Sequence, residues 1–277
     1  MSQTFLFDGA RLNYHDSGSG FPVIFLHPTP LDHRYWLPLI QLLAGVRAIA
    51  PDLRGHGNSE RGSELPVGDF SLVPDAPVLT MARLAADTLA LMDHLGVHEA
   101  VFAGCSIGGY VLMELWRQAP ERMRGLAFVC SKPQPDTDAN RQKRASIIAQ
   151  ARSTGTSAIF DSNAQSLIGA TARARTPDIV PELRSQMTLT ADALVAVQAG
   201  LASRPDSVPT VSSIAVPILA IAGGEDPAIT PEDMRDFTAA PGGCDFHLLP
   251  DAGHFAAYEQ PDKVAALFAR WLGRFAA

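Results

Sequence analysis

The sequence predicts an α/β fold, with a mostly parallel, eight-stranded sheet flanked by helices and a block of helices inserted after the sixth strand. Three observations carry this. Short unbroken apolar runs, such as residues 22–26 and 216–221, have the pattern of strands covered on both faces. These runs alternate with segments of helical spacing. From about residue 133 to residue 212 the alternation lapses and helical patterns follow one another without a convincing strand.

Residues 5–7 and 12–15 flank Asp8-Gly9, a two-residue turn signal, so the chain opens with an antiparallel pair. The third strand, 22–26, runs into His27-Pro28-Thr29-Pro30. A helix is predicted over 36–44 and a fourth strand over 46–50, followed by the loop Asp52-Leu53-Arg54-Gly55-His56-Gly57-Asn58-Ser59. Residues 61–79 contain Pro66, Pro74 and Pro77 and read as an irregular excursion. Thr80 caps a helix whose apolar positions Leu84, Leu89, Leu91, Met92 and Leu95 lie largely along one face, and which stops at Gly96. The fifth strand, 100–103, leads through Gly104-Cys105-Ser106-Ile107-Gly108 into a helix with Tyr110, Met113, Leu115 and Trp116 at helical spacing, and 125–130 is the sixth strand. Helices over 138–152, 157–168, 178–187 and 190–202 fill the insertion. Alternation resumes with strand 216–221, a helix over 231–238 with Thr230 as cap and Pro231 at its first position, strand 245–249 and helix 261–275. The expected division is a core domain of residues 1–132 and 213–277 and a helical cap of residues 133–212.

Composition narrows the function classes. With 277 residues, 47 % of them hydrophobic and 18 % charged, the chain can bury the core of one sizeable domain, which excludes disorder. A net charge of −7 argues against nucleic acid, which needs a clustered basic surface, and leaves a small molecule as the expected partner. Cys105, Cys130 and Cys244 have no pairing or metal-ligand spacing, so they read as small buried hydrophobes in a reducing compartment. The first residues lack a basic segment followed by an apolar run, and no stretch of about 18 apolar residues occurs, so the expectation is a cytoplasmic protein without a membrane anchor.

The chemistry centres on Ser106. A serine at the apex of a sharp strand-to-helix turn sits in a sparsely populated backbone conformation, and the glycines two before and two after it let strand and helix pass without Cβ clashes. The turn presents the hydroxyl above the sheet and sets the Ile107 N–H where negative charge on a substrate oxygen would develop. A serine hydroxyl is a weak nucleophile until a base accepts its proton. Of eight histidines only His254, in Asp251-Ala252-Gly253-His254-Phe255, lies in a suitable loop, just beyond the last strand. Parallel strands deliver their carboxyl ends to one edge, where His254 and Ser106 converge. The orienting acid comes from another strand end. Gly223-Gly224-Glu225-Asp226-Pro227 offers two, of which Asp226 is favoured and Glu225 read as a surface charge. Cys105 is not the nucleophile, because the turn aims its central residue.

These residues, in five ordered motifs, make the chain resemble the α/β-hydrolase family over nearly its whole length. The motifs are His27-Pro28-Thr29-Pro30, Asp52-x-Arg54-Gly55-His56-Gly57-x-Ser59, Gly104-Cys105-Ser106-Ile107-Gly108-Gly109, Gly223-Gly224-x-Asp226 and Ala252-Gly253-His254. Leu31-Asp32-His33-Arg34-Tyr35-Trp36 and Ala202-Ser203-Arg204-Pro205-Asp206 make it look most like the 3-oxoadipate enol-lactonase and carboxylesterase branch. By resemblance the second oxyanion donor is the N–H of Thr29. The sequence departs from the family at Pro28, where Gly is usual; Pro28 stiffens the loop, while Thr29 keeps its N–H. A cis bond before Pro30 is expected. Ser71, Ser131, His27 and His56 read as structural.

The resemblance implies a serine hydrolase that cleaves a small ester or lactone through an acyl-enzyme, with Ser106, Asp226 and His254 as triad, Thr29 and Ile107 as oxyanion donors, and no cofactor or metal. The motifs do not separate this from thioester hydrolysis, cofactor-free perhydrolysis or carbon–carbon bond hydrolysis, nor from a binding protein that keeps a triad as a relic. Residues 136–206 hold eight basic side chains against seven acidic ones, so this segment is +1 while the remainder is −8. Such charges ordinarily form solvated helix faces. With the apolar Ile148, Phe160, Leu167, Ile168, Met187, Leu194 and Val197 they suggest a compact, partly apolar substrate that carries a carboxylate in some cases.

Overall fold

The computed structural model describes residues 2–62, 65–66 and 75–275. Eight strands form one sheet: β1 (Ser2–Phe7), β2 (Ala10–Gly18), β3 (Phe21–Leu26), β4 (Val46–Pro51), β5 (Ala100–Cys105), β6 (Met123–Val129), β7 (Ile218–Gly223) and β8 (Cys244–Leu249), in the spatial order β1-β2-β4-β3-β5-β6-β7-β8. Only β1–β2 and β2–β4 pair antiparallel; every other neighbour is parallel. Asp8 and Gly9 turn the first hairpin with φ of 44° and 71°, the pair of positive values that a two-residue turn of this twist requires. All residues of β5 and β7 are buried, as expected of strands covered on both faces.

The helices are α1 (Leu37–Ile40), α2 (Met81–His94), α3 (Ile107–Gln118), α4 (Asp138–Thr154), α5 (Ser157–Ser166), α6 (Ala170–Arg175), α7 (Ile179–Gln186), α8 (Ala191–Ala202), α9 (Val208–Val211), α10 (Ala256–Glu259) and α11 (Pro261–Leu272). Helices α4 to α9 lie between β6 and β7 in the chain, with no strand among them. Thr80 caps α2 by accepting from the Arg83 N–H, and Gly96, at φ 63°, follows its end.

Two expectations are corrected. The helix over 36–44 is instead a 3₁₀ turn (His33–Trp36) followed by the four residues of α1, after which the chain tightens into i→i−3 bonds, Leu42 N–H to Leu39 and Leu43 N–H to Ile40 at 3.0 and 3.1 Å. The helix over 231–238 does not form as such. Thr230 and Asp233 do cap each other, N–H to side-chain oxygen at 3.0 and 3.1 Å. The Asp233 carbonyl, however, is taken by Gln134 Nε2 at 2.9 Å, so the Phe237 N–H turns to Met234 and a 3₁₀ helix, Arg235–Ala239, results. The short helices α6, α9 and α10 have too few residues to show a period, and the sequence did not announce them. Pro66 accepts the Val78 N–H in the excursion, whereas Pro74 and Ser71 lie outside the described residues.

One buried ion pair ties the layers together. Arg54, 1 % exposed, donates from Nε and Nη2 to the two oxygens of Asp87 on α2 at 2.8 and 2.6 Å, and from Nη2 to the Phe7 carbonyl at 3.1 Å. It joins the loop after β4, α2 and the first hairpin. Removing one partner strands the other charge in a dry site, so Asp87→Ala should cost about 3–5 kcal/mol of unfolding free energy in a urea titration; a loss below about 1 kcal/mol would assign the pair no more than surface value.

Candidate active site

The turn from β5 into α3 holds Ser106 at φ 53° and ψ −115°, a region that costs a residue with a side chain about 1–3 kcal/mol. Its surroundings impose that conformation. The Ser106 N–H donates to the Val129 carbonyl at 3.1 Å, and its own carbonyl accepts from Ser131 Oγ and the Gly109 N–H, both at 2.9 Å. A Cβ at Gly104 would stand 2.4 Å from the Gly108 carbonyl carbon, one at Gly108 2.2 Å from the Leu26 oxygen, and one at Gly109 2.3 Å from Ser131 Oγ. The helix therefore approaches β3, β5 and β6 more closely than any side chain would allow. Ser106 stands at the N-cap position of α3 but makes no side-chain cap bond, so its hydroxyl is not spent on the helix.

Beyond β7, Asp226 is 7 % exposed and accepts at one oxygen from the Ala228 and Ile229 N–H groups, at 2.8 and 3.1 Å. Its other oxygen lies 2.8 Å from His254 Nδ1. That bond selects the tautomer: Nδ1 carries the proton and Nε2 is the acceptor. Burial lowers the proton affinity of His254, but Asp226 and then Glu259 raise it further, leaving the pKa above the ordinary 6.5. The stabilisation this lends the fold is present in full below pH 6.5 and is lost as the pH rises through the folded value. Cys105 Sγ contacts the His254 carbonyl at 3.7 Å, so the Ser106 turn and the histidine loop are packed against each other. Among the described residues no hydrogen bond joins Ser106 Oγ to His254; such bonds are often long in the free enzyme and tighten around substrate.

The third wall is the loop after β3. Thr29 precedes Pro30 through a cis bond, as the sequence predicts. Its hydroxyl donates to His56 Nε2 at 2.9 Å, while His56 Nδ1 lies 3.2 Å from the Arg54 carbonyl. His27 uses the same pattern, accepting the Leu53 N–H on Nε2 at 2.9 Å and donating from Nδ1 to Pro28 at 3.0 Å. Both rings need to be neutral to do this, and burial pushes both pKa values down, His56 to about 3. These histidines clamp the loop from either side, and Pro28 fits because its carbonyl, not an N–H, takes part. No hydrogen bond among the described residues uses the N–H of Thr29 or of Ile107.

Asp32, His33 and Asp52 offer ligand atoms within 4.8 Å of one another, yet their oxygens are committed. Asp52 accepts from Asn13 Nδ2, the His33 N–H and ring, and the Asn58 N–H, and Asp32 pairs with Arg34. Although burial opposes ionisation, the His33 bond prevails and brings Asp52 to about 2. The cluster fits an ion-paired brace better than a metal centre. Cys105 is fully buried, accepts from the Tyr35 hydroxyl at 3.2 Å, and has its pKa driven up by burial, so it is a neutral thiol.

Sequence reasoning missed how the segment between β6 and β7 reaches these loops. Leu167 accepts the His254 N–H at 2.8 Å, and Gly169 donates to Glu259 at 3.1 Å. Glu225, read as a surface charge, instead accepts from the Thr171 N–H and hydroxyl at 2.9 and 2.5 Å. Those bonds lower its pKa. Glu259 is 4 % exposed. A lone acid in the otherwise uncharged run Phe255 to Gln260 was the available signal. The basic side chains of the segment are largely spent internally: Arg141 on Asp138, Arg184 on Asp161, Arg144 and Arg204 on Asp136, Arg173 and Arg175 on carbonyls. A cavity of about 560 Å³ opens between α6–α7 and α10–α11, lined by Arg175, Ile179, Tyr258, Gln260 and Lys263 among others; none of Ser106, Asp226 or His254 lines it.

The profile of the family described as "Alpha/beta hydrolase family" matches residues 23–267. The 3-oxoadipate enol-lactonase 2 of Acinetobacter baylyi is 27 % identical over 213 residues, spanning 77 % of this chain and 73 % of that protein. Among solved structures, a thermophilic esterase from Thermogutta terrifontis with malate bound superposes with a TM-score of 0.87 at 29 % identity, covering 97 % of this chain and 95 % of the other. The enol-lactonase from Burkholderia xenovorans LB400 gives 0.85 at 23 % identity, covering 98 % and 100 %.

The electrostatics of the Asp226–His254 pair are open to direct measurement. The His254 imidazole should titrate above pH 6.5 by ¹⁵N–¹H NMR, and Asp226→Asn should bring it below that value, because burial then outweighs the remaining carboxylate. A pKa unmoved by Asp226→Asn would contradict the pairing.

Proposed function

The chain belongs to the α/β-hydrolase family, and from that premise we propose that it is a serine hydrolase acting on a compact, partly apolar carboxylic ester or lactone. The observation that carries the reading is the buried 2.8 Å bond between Asp226 and His254 Nδ1, in loops packed against a strained turn whose serine hydroxyl is left unused. In this reading Ser106 is the nucleophile, His254 the base and Asp226 the group that orients it. His254 Nε2 accepts the hydroxyl proton as Ser106 Oγ attacks the carbonyl carbon, and Asp226 stabilises the imidazolium. Negative charge gathers on the former carbonyl oxygen, where the N–H groups of Ile107 and Thr29 receive it; one such donor is worth about 3 kcal/mol of barrier. The imidazolium then protonates the departing alcohol, and water hydrolyses the acyl-enzyme by the same route.

Residues 133–212 act in this reading as a cap on a core of residues 1–132 and 213–277, seated on the acid and base loops by Leu167, Gly169 and Thr171. Because the arginines there are mostly committed to partners, a substrate carboxylate is no longer required. Support for ester or lactone bonds comes from the esterase at 29 % identity and the enol-lactonase at 27 %. A cytoplasmic location belongs to the same reading, since the three cysteines are unpaired and no helix of the described residues is long and apolar enough to cross a membrane.

A rate comparison over short aryl esters, lactones with and without a carboxylate, acyl-CoA thioesters, peracid formation and vinylogous diketones tests this, with Ser106→Ala as blank. Aryl esters or lactones should lead in kcat/KM, Ser106→Ala should abolish turnover, and the rate should climb with pH through a midpoint above 6.5, where His254 loses its proton. A lead of about tenfold, or 1.4 kcal/mol, for thioesters, peracids or carbon–carbon cleavage would overturn the substrate class. Activity retained by Ser106→Ala would overturn the mechanism.

A further inference from the structure

Glu259 is a buried charge for which the triad has no direct use. Its oxygens take three backbone N–H groups, those of Gly169 and Gly253 on Oε2 at 3.1 and 2.7 Å and that of Phe255 on Oε1 at 3.0 Å. Two of these residues flank His254, whose own N–H goes to Leu167 at 2.8 Å. Every N–H from 253 to 255 is thus spent on Glu259 or on the turn that Glu259 also holds. The approach is too close for side chains: a Cβ at Gly253 would lie 2.3 Å from the Gly169 nitrogen, and one at Gly169 2.8 Å from the Gly253 nitrogen.

We propose that Glu259 is the positioning residue of the base, its carboxylate holding the backbone on both sides of His254 and, through Gly169, making that placement depend on the segment between α5 and α6. The inference rests on His254 being the base of the reaction proposed above. A carboxylate is the side chain suited to the place, since it only accepts and here meets only donors. A neutral acceptor would satisfy fewer donors, and a buried carboxylate is costly unless hydrogen bonded. Its charge has a second effect. The groups facing His254 are Asp226 from the loop after β7, Glu259 from α10, Cys105 from β5 and, against the adjoining Gly253 carbonyl at 3.5 Å, Cys130. Burial keeps both thiols neutral, so the field at the imidazole is that of two carboxylates. Arg175 contacts the turn only at the Glu259 carbonyl, at 2.9 Å.

Glu259→Gln preserves shape but turns an NH₂ group toward backbone N–H donors and removes the charge. The readouts are the His254 pKa by NMR and kcat and KM for 4-nitrophenyl acetate across the pH range. The pKa should fall by about 0.5–1 unit, the acid limb of kcat/KM should move down with it, and plateau kcat should drop about tenfold at nearly constant KM. An unmoved His254 pKa in the folded variant overturns the proposal whatever happens to kcat, because loosened packing alone also lowers a rate. Should the Gln variant not fold, Glu259→Asp keeps the charge with a shorter reach; kcat should fall at least about fivefold while the pKa stays within about 0.3 unit, and a wild-type kcat overturns the proposal. Absence of ester turnover by the wild-type protein would instead refute the proposed function, and the NMR arm would still read the positioning.

Discussion

The geometry of the site depends on the contact of Gly108 with the Leu26 carbonyl, where a Cβ would stand 2.2 Å from the oxygen. It lets α3 start directly against β3, which holds Ser106 at a positive φ with its hydroxyl uncommitted. It also sets the spacing between two N–H groups. Leu26 immediately precedes His27-Pro28-Thr29, so the depth at which α3 rests on β3 decides how far the Ile107 N–H stands from the Thr29 N–H. A helix displaced by even a methyl group would separate the two donors that the proposed mechanism aims at one oxygen.

Around that contact, two kinds of electrostatics divide the loops at the carboxyl ends of the strands. The loop after β3 is held by neutral groups: His27 and His56 are driven to their uncharged forms by burial, and each then uses one ring nitrogen to accept and the other to donate. The loop after β8 is held by charge. Two carboxylates hold it, Asp226 on the ring of His254 and Glu259 on the N–H groups of the flanking Gly253 and Phe255, and both raise the proton affinity of His254 against burial. Burial thus holds the clamp neutral, while the two carboxylates lift the His254 pKa above its ordinary value, so the two loops respond to pH in opposite directions.

Much of this was legible in the sequence because strands covered on both faces and helices with one apolar face write different periods. The strands appear where the apolar runs and the Asp8-Gly9 turn place them, and Ser106, Asp226 and His254 each lie just beyond a strand end, as their loops in the sequence indicate. What stayed hidden has a common physical cause. Residues 231–238 carry a good capping pair, but one side-chain donor from Gln134 takes the carbonyl a helix would have used, and no local pattern announces a partner about a hundred residues away. Glu225 and Glu259 look like surface charges because acids usually are; only the folded chain brings Thr171, Gly169 and the histidine loop to their oxygens. The arginines between β6 and β7 likewise looked available for a ligand, until the fold spent most of them on Asp136, Asp138, Asp161 and backbone carbonyls.

The central claim is that the strained turn exists to present one hydroxyl to an electrophile beside a tuned histidine. Peptide mapping by mass spectrometry after reaction with a fluorophosphonate tests it most directly. A single phosphonyl adduct on Ser106, formed faster as the pH rises through the His254 titration and abolished in His254→Ala, is the result the account predicts. An adduct on Cys105 or on another serine, or labelling of Ser106 that is indifferent to His254, would contradict it.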